Sequence, residues 1–275
     1  MDEVIKIIDV EKAIRSSKSK FVRSLPRFIV WFIVKLIHQD EMNTTLHRNR
    51  HKTGVPFVND ILNEWNVNVV VKGGDNVPNS GRFVFVANHP VGGMDALAFL
   101  STIYMYFPNV VSPSNELFGY IPQLKPVILG VNVFGRNTKE TIEELNRLFE
   151  SDSQIMIFPA GEVSRRNKGA ISDPVWQKSF ITKSVQYKRD IVPVHISGKN
   201  SKSFYFVASL RKWLGIKLYI ETILLSREMM NKRNSSITLT IGKVIPWQNF
   251  SNIKSQNEWA QYVKEVVYSI PNHKQ

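Results

Sequence analysis

The chain has 275 residues, 43% of them hydrophobic, which is enough for one sizeable core and excludes an intrinsically disordered protein. It has no cysteine, so disulfides and thiolate metal sites are excluded. Its 36 Lys and Arg residues against 23 Asp and Glu residues give a net charge of +13, and such a surface attracts nucleic acid, anionic lipid or an acidic carrier protein.

The first predicted element is a helix in the apolar stretch LPRFIVWFIVKLI, residues 25–37. Its uninterrupted apolar part, residues 28–34, is much shorter than the roughly 20 residues that cross a bilayer, and no stretch of the chain reaches that length. Arg27 and Lys35 flank this part and Trp31 lies within it, which is typical of a helix in the headgroup region of a membrane. A helix packed on the main core could have the same composition, and the segment alone does not decide between the two.

From about residue 65 the chain alternates strand and helix patterns. Strands are predicted at residues 67–71, 83–87, 131–134, 155–158, 191–196 and 237–245. Helices are predicted at residues 94–107, at 138–150, from Pro174 with Asp173 as N-cap, and at 258–270. The alternation predicts an α/β fold with a central, mostly parallel or mixed sheet flanked by helices. We divide the chain into an N-terminal interfacial helical segment for membrane docking, residues 1–64, and an α/β domain, residues 65–275.

The stretch FVFVANHPVGGMDALAFL, residues 83–100, places polar residues at the end of a buried strand, where ligands bind in open α/β sheets. His89 follows the apolar run, and Asp95 falls in the first turn of the next helix. The glycines between them let the chain reverse, so that the carboxylate can face the imidazole. A carboxylate that fixes the tautomer of a histidine makes the other nitrogen a better base for a hydroxyl or amine. In the alternative interpretation, both residues are structural caps.

The stretch IMIFPAGEVSRR, residues 155–166, repeats this design. Glu162, Arg165 and Arg166 follow its strand, and they share an edge of the sheet with the first stretch if the two strands are parallel. Arginines at such an edge are candidate ligands of a phosphate or carboxylate. The alternative is a solvated turn with an internal Glu–Arg pair.

Two further strand ends carry candidate residues. Arg136 follows Gly135 in VNVFGRN, at the end of another apolar run. His195, in IVPVHISGKN, is more typical of a packed core histidine than of a reactive one.

Four blocks in this order resemble the glycerolipid acyltransferase superfamily, the lysophospholipid acyltransferases. They are the His89–Asp95 pair, the G-x-x-x-F-G-R pattern that ends at Arg136, FPAGE at residues 158–162, and IVPVHI at residues 191–196. The resemblance spans about residues 72–197. The segments HQDEMN and GVPFVNDIL resemble the haemolysin-like branch, which includes the O-acyltransferases of ornithine and related aminoacyl lipids.

The resemblance implies roles for the candidate residues. His89 would be the general base that takes a proton from the acceptor hydroxyl, and Asp95 would orient it. The hydroxyl oxygen would attack an acyl thioester of CoA or of acyl-carrier protein, with no further cofactor and no metal. The residues that would position the acceptor are Arg136, Gly161, Glu162 and Arg165. The N-terminal segment would dock the enzyme peripherally on the cytoplasmic face of the inner membrane, and oligomeric state is not readable.

Two departures from the common family pattern bear on the acceptor. The spacing between His89 and Asp95 is one residue longer, and Ala160 precedes Gly161 where the common block has an acid, while Glu162 follows it. Both changes resemble the haemolysin-like branch, which favours a lyso-aminolipid whose 3-hydroxyacyl hydroxyl is the acceptor. Lysophosphatidic acid is the alternative acceptor. A non-catalytic membrane-binding protein is a further alternative; nucleic acid is not expected, since no helix-turn-helix, zinc finger or RNP pattern is legible.

Overall fold

The computed structural model describes residues 6–272, except residues 18, 133, 134, 136, 168 and 216–219. The strands within these ranges are β1 Asn68–Lys72, β2 Phe83–Ala87, β3 Val110–Asn115, β4 Ile128–Val131, β5 Gln154–Ile157, β6 Arg165–Asn167, β7 Ala170–Ser172, β8 Asp190–Ile196 and β9 Ser236–Ile241. The helices are α1 Val10–Arg15, α2 Lys20–Arg23, α3 Arg27–Leu36, α4 Gln39–Arg48, α5 Gly54–Glu64, α6 Gly93–Tyr104, α7 Lys139–Glu150, α8 Ser179–Tyr187, α9 Lys202–Trp213, α10 Leu224–Met230 and α11 Gln256–Ser269.

Most of the described strands form one mixed sheet, in the order β1-β9-β8-β2-β5-β3-β4. All of its neighbouring pairs are parallel except β8 and β9, which are antiparallel. Strands β6 and β7 form a separate antiparallel hairpin. The predicted α/β fold with a mostly parallel or mixed sheet is therefore confirmed. Because β2 pairs in parallel with both β5 and β8, the carboxyl ends of these three strands lie along one edge of the sheet, here called the site edge.

The central strand β2 is buried on both faces, which is why its sequence is apolar throughout. Phe83, Phe85 and Ala87 belong to the core layer that contains residues of α5 and α6. Val84 and Val86 belong to the opposite layer, with residues of α8 and α11. Because successive side chains of a strand point to opposite faces, this one strand contributes residues to the core layers on both sides of the sheet.

Several predicted elements have different bounds in the structure. The strand predicted at residues 131–134 lies at Ile128–Val131, and residues 133 and 134 are outside the described ranges. The prediction of Asp173 as a helix N-cap is wrong, because the next helix begins at Ser179. The carboxylate of Asp173 instead accepts hydrogen bonds from the backbone N–H of His89 and from the side chains of Ser164 and Trp176, as described below. Strands β3, β6 and β7 and helices α9 and α10 were not predicted.

The N-terminal helices expose a group of large apolar side chains. Phe28, Trp31 and Phe32 on α3 are exposed, whereas Val30 on the same helix is buried. In the described part of the chain, no helix is both long enough and apolar enough to cross a membrane. Helix α5, which also lies within residues 1–64, contributes Phe57 to the core beneath the sheet. The division of the chain at residue 64 remains a prediction.

Candidate active site

The site edge holds an imidazole in contact with a buried carboxylate. Nδ1 of His89 lies 3.1 Å from Oδ2 of Asp95. The Asp95 side chain is fully buried, and the His89 side chain retains 16% exposure, so a substrate can still reach the ring. The pair predicted from the first stretch is therefore brought together, beyond the carboxyl end of β2.

The loop between these residues fixes the position of the carboxylate. Oδ2 of Asp95 also accepts hydrogen bonds from the backbone N–H groups of Val91 and Gly92, at 2.7 and 2.9 Å. Gly92 has a φ of 105°, which side chains disfavour, and a Cβ on Gly93 would lie 2.8 Å from Sδ of Met229. The two glycines therefore let the chain fold tightly around Asp95 at the start of α6.

This arrangement selects one tautomer of His89. An ionised carboxylate only accepts hydrogen bonds, so Nδ1 carries the proton and Nε2 presents a lone pair. The ring stacks on Phe158, with centroids 4.0 Å apart and planes inclined by 22°. Phe158 is the first residue of the FPAGE block, which thus holds one face of the imidazole. A base with a fixed tautomer and ring plane can accept a proton from a hydroxyl.

Asn88, at the start of the loop between His89 and Asp95, is hydrogen-bonded to the neighbouring strand β8. The side-chain amide of Asn88 donates to the carbonyl of Ile196 at 2.9 Å and accepts from its N–H at 2.7 Å. The amide continues the hydrogen bonding of the sheet one step beyond the end of β2. His89, the next residue, therefore leaves the sheet from a fixed point.

The segment after β5 directly contacts the loop between His89 and Asp95, here called the histidine loop. This contact is expected from the parallel pairing of β2 and β5. The N–H of Ser164 donates to the carbonyl of His89 at 2.7 Å. Oδ1 of Asp173 accepts from the N–H of His89 at 3.2 Å and from the Ser164 hydroxyl at 2.6 Å. Its Oδ2 accepts from the indole of Trp176 at 2.9 Å. One buried carboxylate therefore joins the loops that follow β2 and β5.

The N–H of Asp173 donates to the hydroxyl of Tyr268 on α11 at 2.8 Å. Burial is the main cause that raises the pKa of Tyr268 above its ordinary value, so this group stays protonated. The Tyr268 ring in turn meets His195 edge to face, with centroids 6.1 Å apart. Burial lowers the pKa of His195, while the charge of Asp173 opposes that shift.

Arg165 lies in an ion-pair cluster at the base of the β6–β7 hairpin. Its guanidinium is 3.3 Å from Oε1 of Glu221 and 3.7 Å from Oε2 of Glu162. The other carboxylate oxygen of Glu221 is 2.8 Å from Nε of Arg211 on α9. Glu221 is fully buried. The internal Glu162–Arg165 pair considered from the sequence is present, and Glu221 joins it from a distant segment.

The other residues that were predicted to position the acceptor are Gly161 and Arg136. Gly161 has a φ of 67° in the turn after β5, and a Cβ there would meet no atom within 4 Å. Arg136 lies outside the described residues. Arg166 is exposed, and its guanidinium lies 5.7 Å from the ring centre of Tyr205. An open pocket of about 470 Å³ beside it is lined by Arg166, Lys202, Tyr205, Phe206 and Ser209.

Sequence reasoning missed three residues that organise this site: Asp173, Glu221 and Tyr205. The Asp-Pro pair at 173 had a plausible local explanation as a helix start. Glu221 and Tyr205 follow no strand of the predicted sheet and belong to no recognised block. Their roles arise from contacts between distant segments, which no local spacing signals.

The family model and the known proteins that this chain resembles are all described as acyltransferases. A family model described as "Acyltransferase" matches residues 12–275. Lyso-glycine lipid O-acyltransferase of Bacteroides thetaiotaomicron is 39% identical over 270 residues, which cover 98% of this chain and 99% of that protein. The protein of the same name from Phocaeicola vulgatus is also 39% identical over 270 residues, with coverage of 98% and 97%.

A solved structure is also similar. It is the 1-acyl-sn-glycerophosphate (LPA) acyltransferase PlsC from Thermotoga maritima, with 19% sequence identity and a TM-score of 0.44. The similarity covers 89% of this chain and 94% of that one.

Proposed function

Because the chain belongs to the acyltransferase family, whose model spans residues 12–275, we propose that it is an O-acyltransferase that moves a fatty acyl group from a thioester to the hydroxyl of a lysolipid. The contact of 3.1 Å between Nδ1 of His89 and Oδ2 of Asp95, beyond the end of β2, is the observation that carries this proposal. It provides an oriented base at the place where open α/β sheets bind ligands.

In the proposed mechanism, Nε2 of His89 takes the proton from the acceptor hydroxyl. At the same time, the hydroxyl oxygen attacks the carbonyl carbon of the thioester. A C–O bond forms, and the carbonyl oxygen gains negative charge in a tetrahedral intermediate. The C–S bond then breaks, and the thiol leaves with the proton from the imidazolium. Asp95 stabilises the imidazolium between these steps, because its buried carboxylate stays in contact with Nδ1. The products are the ester and the free thiol, and His89 returns to its starting state.

The preferred acceptor is a lyso-aminolipid. Two proteins that are 39% identical to the chain along almost its whole length are named lyso-glycine lipid O-acyltransferases. The setting of Arg165 supports this choice over a phosphate dianion, because its guanidinium already faces Glu162 and Glu221. Gly161, Glu162, Arg165 and Arg136, the last of which lies outside the described residues, are proposed to position the acceptor beside His89.

The donor is proposed to be acyl-carrier protein or acyl-CoA, with no other cofactor. A net charge of +13 would favour an acidic carrier protein, and such binding would weaken as salt rises. The enzyme is proposed to lie peripherally on the cytoplasmic face of the membrane. The exposed Phe28, Trp31 and Phe32 of α3 support docking through that helix.

A turnover assay tests the proposal. The full-length protein is incubated with acyl-carrier protein thioester or acyl-CoA and with vesicles that contain lyso-glycine lipid or lysophosphatidic acid, and diacyl products are measured by mass spectrometry. We expect acylation of the lyso-glycine lipid by the wild type, and a rate lower by about 10²–10⁴-fold in His89→Ala. Turnover of lysophosphatidic acid alone would assign the alternative acceptor. Binding to vesicles without turnover of either lipid would contradict the proposed activity.

A further inference from the structure

Helix α9 exposes a row of large apolar side chains. Its buried side is formed by Phe204, Tyr205 and Ala208. On the other side, Phe206 is 67% exposed and Trp213 is 81% exposed. Leu210 lies between them, and Leu214, just past the end of the helix, is also exposed.

The spacing of these residues makes the row continuous. Positions 206, 210 and 213 recur at intervals of four and three, so their side chains lie on one face of the helix. Isolated exposed apolar residues are ordinary, but a continuous face of this kind marks an interaction surface. We call these three residues the α9 face.

Two basic residues border the α9 face. Lys202 is exposed on the same face, one turn before Phe206. Arg166 lines an open pocket together with Lys202 and Phe206. The acidic Glu221 is buried between two arginines and is therefore not available to the surface.

The buried side of α9, opposite the α9 face, packs on the segment that contacts the histidine loop. The rings of Phe204 and Tyr205, on the buried side of α9, lie 5.2 and 5.7 Å from the guanidinium carbons of Arg165 and Arg166. Those arginines begin β6, directly after Ser164, whose N–H donates to the carbonyl of His89. A partner on the α9 face is thus separated from this segment by the width of one helix, about 10 Å.

We propose that the α9 face is a second docking surface for an anionic lipid bilayer, separate from α3. Phe206, Leu210 and Trp213 enter the interface, and Lys202 and Arg166 contact the lipid phosphates. Apolar side chains with a tryptophan, flanked by lysines and arginines, are the combination that such an interface binds. A second copy of the chain fits less well, because a symmetric contact would bring these cations against their own equivalents.

The proposal rests on the proposed function only in that the acceptor is a membrane lipid. Docking through α9 would place the bilayer on the outer side of the helix that packs against Arg165 and Arg166.

Vesicle co-sedimentation of the full chain tests the docking surface without any turnover. Vesicles of phosphatidylglycerol and phosphatidylcholine are compared with phosphatidylcholine alone, at low and high salt. We expect the double variant Phe206→Ser, Trp213→Ser to bind anionic vesicles on the order of tenfold more weakly, since two large side chains leave the interface. Lys202→Gln should weaken binding to anionic vesicles only and reduce its dependence on salt.

Ile253→Ser is the matched control, because Ile253 is 80% exposed on the turn before α11 and lies outside the α9 face. It should bind like the wild type, whereas Phe28→Ser with Trp31→Ser should weaken binding independently of the α9 variants. Wild-type binding by the α9 double variant would overturn the proposal. So would a wild-type dimer that the double variant dissociates in sedimentation velocity.

A second measurement covers the case in which the double variant does not fold. Brominated lipids quench the fluorescence of tryptophans that enter the interface. The conservative Trp213→Phe variant should lose a clear part of the quenching seen in the wild type. Equal quenching in both proteins would contradict the proposal. Acylation of lysolipid in detergent micelles reports the proposed function separately, because micelles do not require docking.

Discussion

Oδ1 of Asp173 accepts a hydrogen bond from the backbone N–H of His89 at 3.2 Å, although 84 residues separate the two. The same carboxylate accepts from the Ser164 hydroxyl and from the Trp176 indole. Asp173 thereby holds the loop of the proposed base against the loop that follows β5. It touches the backbone of His89 rather than its ring, so it is a positioning residue.

Asp173→Asn removes one acceptor from this network and leaves buried donors without a partner. We expect the free energy of unfolding to fall by about 1–3 kcal/mol, because unpaired buried donors are costly. We also expect kcat to fall with little change in the KM of the acyl donor, since the ring of His89 loses its fixed position. Urea unfolding and steady-state kinetics measure the two effects. Asp75→Asn, at an exposed carboxylate, is the control and should change neither. An unchanged kcat in Asp173→Asn would contradict the positioning role.

Asp95→Asn keeps the shape of the side chain but removes its charge. We expect kcat to fall by about 10²–10⁴-fold, the range that general-base catalysis contributes, because a neutral amide no longer favours the imidazolium. The amide oxygen can still accept from Val91 and Gly92, so the unfolding midpoint should change much less than the rate. A rate close to that of the wild type would show that the carboxylate only caps α6.

Glu221→Gln removes the buried carboxylate that the half-buried Arg165 and Arg211 share. We expect a loss of about 3–5 kcal/mol in the free energy of unfolding, the usual cost of breaking a buried ion pair from one side. Glu143→Gln removes an exposed partner of Lys139 and serves as the control, with an expected loss under about 1 kcal/mol. Equal losses in urea unfolding would mean that the cluster around Arg165 is as solvated as an ordinary surface pair.

The stability of the protein should depend on pH through His195. Burial lowers the pKa of this imidazole below its ordinary value of 6.5. Well above pH 6.5 the group is neutral in both states and contributes no difference. As the pH falls below that value, the unfolded chain binds the proton first, so the free energy of unfolding decreases. His195→Gln should therefore show a shallower decrease between about pH 7 and about pH 5 in urea unfolding. Parallel curves for the two proteins would contradict this assignment.

The parts of the fold that the sequence predicted best are those set by local physics. The bounds of β2 match the prediction, because a short uninterrupted apolar run is typical of a strand that is buried on both faces. Helix α7 begins at the predicted place, where the hydroxyl of Thr138 accepts from the N–H of Thr141 and caps the helix. The shared edge of His89 and Ser164 followed from the parallel pairing of β2 and β5.

The missed parts depend on contacts between distant segments. Asp173 precedes a proline, which is typical of a helix start, and only the folded chain shows its bonds to His89 and Ser164. The α9 face was missed because the helix has apolar residues on both sides, so its sequence lacks the one-sided pattern that marks an ordinary surface helix. Fold class was therefore readable from the sequence, but the long-range contacts that position the site residues were not.

The most direct test of the central claim is the rate of acyl transfer by full-length His89→Ala, measured with an acyl thioester and vesicles that contain lyso-glycine lipid. We predict a rate lower by about 10²–10⁴-fold, with wild-type vesicle binding and an unchanged unfolding midpoint. Transfer at a rate within a few-fold of the wild type would contradict the claim that His89 removes the proton from the acceptor hydroxyl.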